Sequence, residues 1–148
     1  PRTPTVTTGS SAFIAEARRV PGFAWVDWSA RLEVPATTLD RLIATHGEPA
    51  FVKIDVEGME HEVLAGLSRP LRALSFEFVP SSPTSALASV GRLEALGRYA
   101  FNVALGEEPE LLLGRWVDAA AIRRWLETRD PAGDSGDVYA VRPDVVGR

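Results

Sequence analysis

The spacing of apolar positions changes repeatedly along this chain, and each spacing predicts an element. Leu39, Leu42 and Ile43 share a stripe with His46, which predicts a helix capped by Thr37 or Thr38 and ended at Gly47. Residues 50–56 are then almost unbroken apolar, the pattern expected of a strand buried on both faces of a parallel sheet. Glu57-Gly58 turns the chain into a helix with Met59, Val63, Leu64 and Leu67 inward, and Pro70 ends it. Residues 74–79 read as a second buried strand closed by Pro80. Pro83 opens a helix whose face carries Leu87, Val90, Leu93 and Leu96, and Gly97 stops it. A strand over 99–105, a short apolar run at 111–113, a helix begun by Asp118 with Ile122, Trp125 and Leu126, and a last strand over 138–141 complete the pattern. Helix and strand alternate from Thr37 onward, which predicts an α/β fold with a mainly parallel sheet.

The first third of the chain is less regular. Ser10 or Ser11 caps a short helix carrying Phe13, Ile14 and Ala17, and Pro21-Gly22 breaks it. Residues 23–28 alternate in a way that predicts an irregular strand or hairpin, and 32–34 offers a second short extended run. No internal repeat or dividing linker stands out, so one domain over residues 1–148 is expected.

Composition narrows the classes of function. At 148 residues and 45% hydrophobic content the chain has enough material for a core without covalent staples. It has no cysteine, which excludes disulfide scaffolds, thiolate-bound zinc and thiol catalysis, and fits a reducing cytoplasm. No apolar run approaches the ~20 residues that span a bilayer, and no signal peptide opens the sequence. The net charge of −4 disfavours nucleic acid as a partner, since phosphate contacts need a clustered basic face. Of the 16 basic residues only Lys53 is a lysine, and it lies two positions from Asp55.

Candidate chemistry gathers where open α/β sheets place their ligands, at the carboxyl ends of strands. Asp55 and Glu57 end the first buried strand, and Glu77 ends the second. Strand alternation sets Lys53 and Asp55 on one face. A structural account of Asp55 is a buried pair with Lys53; its position at the strand end favours a functional role. Glu60 and Glu62 read as the solvated first turn of a helix, where negative charge is favourable. His46 reads as a capping or packing residue. His61 lies near enough to the strand ends to meet a substrate, and histidine is the commonest general base near neutral pH. The sequence has no Gly-x-x-x-x-Gly-Lys-Ser/Thr, which excludes a P-loop, and no legible Ser-His-Asp arrangement.

The stretch Thr38-Leu39-Asp40, then Phe51-Val52-Lys53-Ile54-Asp55-Val56-Glu57-Gly58-Met59-Glu60, then Glu62-Val63-Leu64-Ala65-Gly66-Leu67 and Ser75-Phe76-Glu77-Phe78 resembles the FkbM-type methyltransferase family. The similarity is strongest over residues 33–80. It implies part of a Rossmann-like sheet, mainly parallel, with 51–56 and 74–79 as its fourth and fifth strands and an antiparallel last pair at 99–105 and 138–141. It implies S-adenosylmethionine as cofactor and the hydroxyl of a sugar or natural product as acceptor. Lys53, Asp55 and Glu57 then form the candidate catalytic set, Asp55 also meeting the cofactor at its methyl-transfer end. Glu77 and His61 are candidate substrate contacts. Three carboxylates near one cleft would also suit a divalent cation.

The glycine-rich loop and the acid for the ribose hydroxyls that such enzymes carry on earlier strands have no counterpart here; the 12 glycines include no Gly-x-Gly. The resemblance therefore covers the carboxyl-terminal part of such a domain, lacking its first strands. An alternative from another class is a non-catalytic remnant that serves as an interaction or dimerisation module. Its open sheet edge would be covered by a second copy or another chain.

Overall fold

Val52–Ile54 (β1), Ala73–Phe78 (β2), Ala100–Leu105 (β3) and Gly136–Val141 (β4) hydrogen-bond into one sheet of order β1-β2-β4-β3. Ser11–Ala17 (α1), Leu39–His46 (α2), Glu60–Ala65 (α3), Thr84–Leu96 (α4) and Ala119–Glu127 (α5) are the α-helices. This computed structural model describes residues 7–19, 21–106, 108 and 110–145, without the side chains of Ala12 and Glu16. Among those residues, no helix is long and apolar enough to cross a membrane.

The sheet is mixed rather than mainly parallel, and its last pair, β3 and β4, is antiparallel as the resemblance implied. β1 and β2 run parallel, in the register Val52 to Leu74 and Ile54 to Phe76. β4 enters between β2 and β3 and is antiparallel to both. Helix–strand alternation predicts parallel neighbours only when each helix carries the chain back to the start of the sheet. α5 does not, so the strand after it runs the other way.

Burial follows from alternation along the strands. Ile54, Leu74, Phe76, Phe78, Phe101, Val103, Val138 and Ala140 point to one face and share a single buried cluster with Leu64, Val90, Leu93, Ile122 and Leu126 of the helices. Each large apolar side chain so enclosed stabilises the fold by about 1.5–3 kcal/mol. The opposite face carries Lys53, Ser75, Glu77, Asp137 and Tyr139 by the same alternation, so this sheet has an apolar side and a polar side.

β1 is shorter than the run that predicted it and is not buried on both faces. It is the edge strand, and Phe51 just before it is 45% exposed. The N-terminal expectations divide in the same way. Ser10 does cap α1, its hydroxyl accepting the Phe13 N–H at 3.0 Å. Residues 23–28 and 32–34 form no strand; a 3-10 helix at Pro21–Phe23 leads into turns, with the Asp27 carboxylate accepting the Ser29 N–H. The alternation there has no strand beside it to pair with. At α2 the cap is Thr38, whose hydroxyl accepts the Arg41 N–H, and His46 is exposed rather than packed.

Leu71 is fixed to the sheet through Tyr99. The Tyr99 hydroxyl accepts the buried Leu71 N–H at 2.8 Å and donates to the Leu71 carbonyl at 3.0 Å. Burial pushes this phenol up, against the pull of the Leu71 hydrogen bond and of Arg142. Tyr99→Phe strands both backbone groups and is expected to cost about 1–3 kcal/mol in urea denaturation. An unchanged midpoint would show that the pair contributes nothing net.

Candidate functional site

Parallel pairing of β1 and β2 brings their carboxyl ends together. Asp55 follows β1, Glu77 lies near the end of β2, and Glu57 stands in the loop leading to α3. One carboxylate oxygen from each of these residues lies within 4.8 Å of the others. The sequence placed all three at strand ends; the fold makes them one cluster.

Glu57 reaches the cluster from an unusual backbone. Its φ of +54° is the only positive value among described non-glycine residues, and Gly58 follows at +93°. For a residue with a Cβ this left-handed region is costly and persists only where surrounding contacts impose it. The φ of Gly58 is what requires glycine there, since an added Cβ would only touch the Phe13 side chain at ordinary contact distance.

The electrostatics follow from crowding like charges in a half-buried place. Burial pushes the Glu77 carboxyl up to about 7, the charges of Glu57, Asp55 and Glu60 add to the shift, and Lys53 opposes it. Burial also raises Glu57, with Asp55 and Glu60 contributing. Lys53 goes upward overall: burial lowers its ammonium, but the hydrogen bond and charge of Asp137, then Asp55 and Tyr139, outweigh that. Lys53 is therefore a cation at neutral pH and not a base.

Lys53 is not buried with Asp55. Both side chains are about half exposed, and the ammonium stands 3.8 Å from the Asp55 carboxylate. Its closer partner is Asp137, which donates no signal to a reading of local sequence. Asp137 faces Glu77 directly across the β2–β4 ladder, 82 positions before which lies Asp55. Only the antiparallel insertion of β4 brings it within reach of Lys53. A Gly-Asp pair opening the last strand was the one available hint.

A cavity of about 250 Å³ opens beside the carboxylates, between α1, the loop before α3, the end of β2 and the first turn of α4. Phe13, Ala17, Phe23 and Phe78 give it apolar walls, and Ser82 and Thr84 add hydroxyls. Glu77 belongs both to the cluster and to the cavity wall, whereas Asp55 and Glu57 lie outside that wall. His61 lines the cavity too, with Nδ1 at 2.9 Å from a Glu62 carboxylate oxygen.

The family model of the methyltransferase FkbM domain matches residues 5–130. The chain belongs to the FkbM methyltransferase-domain family. That match spans the cluster, the cavity and every strand but β4. No curated protein matches the chain.

Within this FkbM domain the structure brings Asp55, Glu57 and Glu77 together, sets Lys53 beside Asp55 and places His61 on the cavity wall. Glu60 departs from the sequence reading. It is not a solvated first-turn residue but 2% exposed, with both carboxylate oxygens hydrogen-bonded, to the Gly58 N–H and the Ser85 hydroxyl. Glu62 is exposed as expected. The donor set of the cluster is all carboxylate oxygen, which fits a hard divalent cation and also complements a positively charged sulfonium.

Proposed function

We propose that this chain acts as an S-adenosylmethionine-dependent O-methyltransferase, with the acceptor's hydroxyl at the carboxylate cluster and its body in the adjoining cavity. The four strands are read as the later strands of a Rossmann-like methyltransferase sheet. The observation that carries the proposal is the convergence of Asp55, Glu57 and Glu77 at neighbouring carboxyl ends, with Glu77 opening onto a cavity large enough for a small ring.

S-adenosylmethionine, when bound, supplies an electrophilic methyl group on a cationic sulfur. Glu77, with its carboxyl near 7, takes the acceptor's hydroxyl proton. Asp55 aligns that hydroxyl and offers negative charge to the cationic donor, and Glu57 closes the acceptor side. Lys53 anchors Asp55 and Asp137 at the rim. His61 contacts the acceptor from the cavity wall. Alignment of this kind is where methyl transfer gains most of its rate. The sequence has no Gly-x-Gly, so no residue of this chain is assigned to the adenosine end.

The test supplies the complete gene product with S-adenosylmethionine and a panel of uncharged alcohols, and follows S-adenosylhomocysteine by chromatography. Its release in step with a methyl ether is expected. Transfer to amines or carboxylates alone would overturn the hydroxyl assignment. Tight binding of another protein with no S-adenosylhomocysteine formed would favour the interaction-module reading instead.

A further inference from the structure

We propose that Glu60 is a positioning residue, whose buried carboxylate fixes the peptide plane between Glu57 and Gly58 and so holds the Glu57 side chain in the cluster. The inference rests on the methyltransfer reading above for its kinetic consequence, and on geometry alone for its structural one.

The peptide unit joining residues 57 and 58 has two polar ends, and both are held. Its carbonyl, from Glu57, accepts the Thr8 hydroxyl at 2.8 Å. Its N–H, from Gly58, donates to Glu60 Oε1 at 2.9 Å. Rotating this plane changes ψ of Glu57 and φ of Gly58 together, so two opposed hydrogen bonds oppose a flip out of the left-handed conformation. The second oxygen of Glu60 accepts the Ser85 hydroxyl at 2.7 Å, which ties the loop to the first turn of α4 and to the cavity wall. A carboxylate 2% exposed is costly unless its oxygens are satisfied, and here each has a donor. Glu60 also lines the cavity but makes no hydrogen bond to Glu77; its hydrogen bonds are those to Gly58 and Ser85, and its hold on the site runs through Glu57.

Two substitutions separate reach from charge. Glu60→Asp keeps the charge but is one methylene too short to span Gly58 and Ser85. Glu60→Gln loses the charge but keeps the span, since its carbonyl accepts from Gly58 and its amide donates to the Ser85 oxygen. In the complete protein, amide hydrogen exchange at Gly58 is expected to quicken about tenfold in Glu60→Asp and to stay within about twofold in Glu60→Gln. Turnover per folded molecule should fall about tenfold or more in Glu60→Asp with acceptor KM within about threefold, and recover in Glu60→Gln. Unchanged Gly58 exchange in Glu60→Asp overturns the clamp. So does a Glu60→Gln enzyme as impaired as Glu60→Asp, because charge and not reach would then matter. A wild-type protein without methyltransfer activity sinks the functional reading alone, and Gly58 exchange still decides this one.

Discussion

Glu77→Gln is expected to abolish most turnover while making the protein more stable at pH 8 than the wild type. A positioned general base is worth about 10²–10⁴-fold in rate, so loss of the Glu77 carboxylate sets the scale of the kinetic effect. The stability effect has the opposite sign and a definite pH window. The folded state holds the Glu77 proton to about 7, whereas an unfolded glutamate releases it near 4.5. Between these values the folded state binds more protons than the unfolded one, so stability falls as pH rises through the window and stays low above it. Glu57, also raised, acts in the same direction. Because Glu77 keeps some contact with solvent, the shift is discounted to on the order of 2 kcal/mol. Glutamine carries no charge at any pH and escapes this loss. Urea midpoints of the two proteins should agree to within a few tenths of a molar at pH 4.5 and separate by pH 8, given a slope of roughly 1–3 kcal/mol per molar. A separation equal at both pH values would mean that packing, not ionisation, distinguishes them. Magnesium offers a further arm. If the cluster holds a divalent cation, millimolar magnesium stabilises the wild type at pH 8 and leaves Glu77→Gln unmoved.

What the sequence revealed and what it hid divide along one physical line. Features set by neighbours in the chain were legible: the Thr38 and Asp118 caps, the strands ending in acids, and the turn at Glu57-Gly58. Features set by the sheet's lateral order were not. β1 reads as a central strand because its residues are apolar, yet it lies at the edge, and Lys53 reaches from there across β2 to Asp137 on β4. Asp137 comes beside Glu77 and meets Lys53 only because β4 inserts antiparallel beside β2. Glu60 follows the rule for acids at a helix start, and local charge patterning gives no sign that Ser85 and Gly58 will enclose it. The apolar alternation at 23–28 misled for the converse reason: a strand requires a partner, and alternation alone does not supply one.

Asp55→Asn is expected to lower turnover by roughly 10²–10³-fold while changing the dissociation constant of S-adenosylmethionine by no more than about threefold. Asparagine matches aspartate in shape and keeps one carbonyl oxygen, so the hydroxyl retains an acceptor of hydrogen bonds but loses the charge that orients it. The fold has little reason to respond. Asp55 is half exposed, its 3.8 Å approach to Lys53 is a surface ion pair worth about 0–1 kcal/mol, and Lys53 keeps its closer partner in Asp137. Stability should therefore stay within about 1 kcal/mol of the wild type, which lets kinetics be read without correction for unfolded enzyme. The ratio of the two losses is the informative quantity. An interaction made only as the methyl group moves lowers turnover and spares ground-state affinity, whereas a scaffold residue weakens both by the same factor. Equal losses would remove Asp55 from the reacting position and leave Glu77, the one member of the cluster on the cavity wall, as the carboxylate that meets the acceptor.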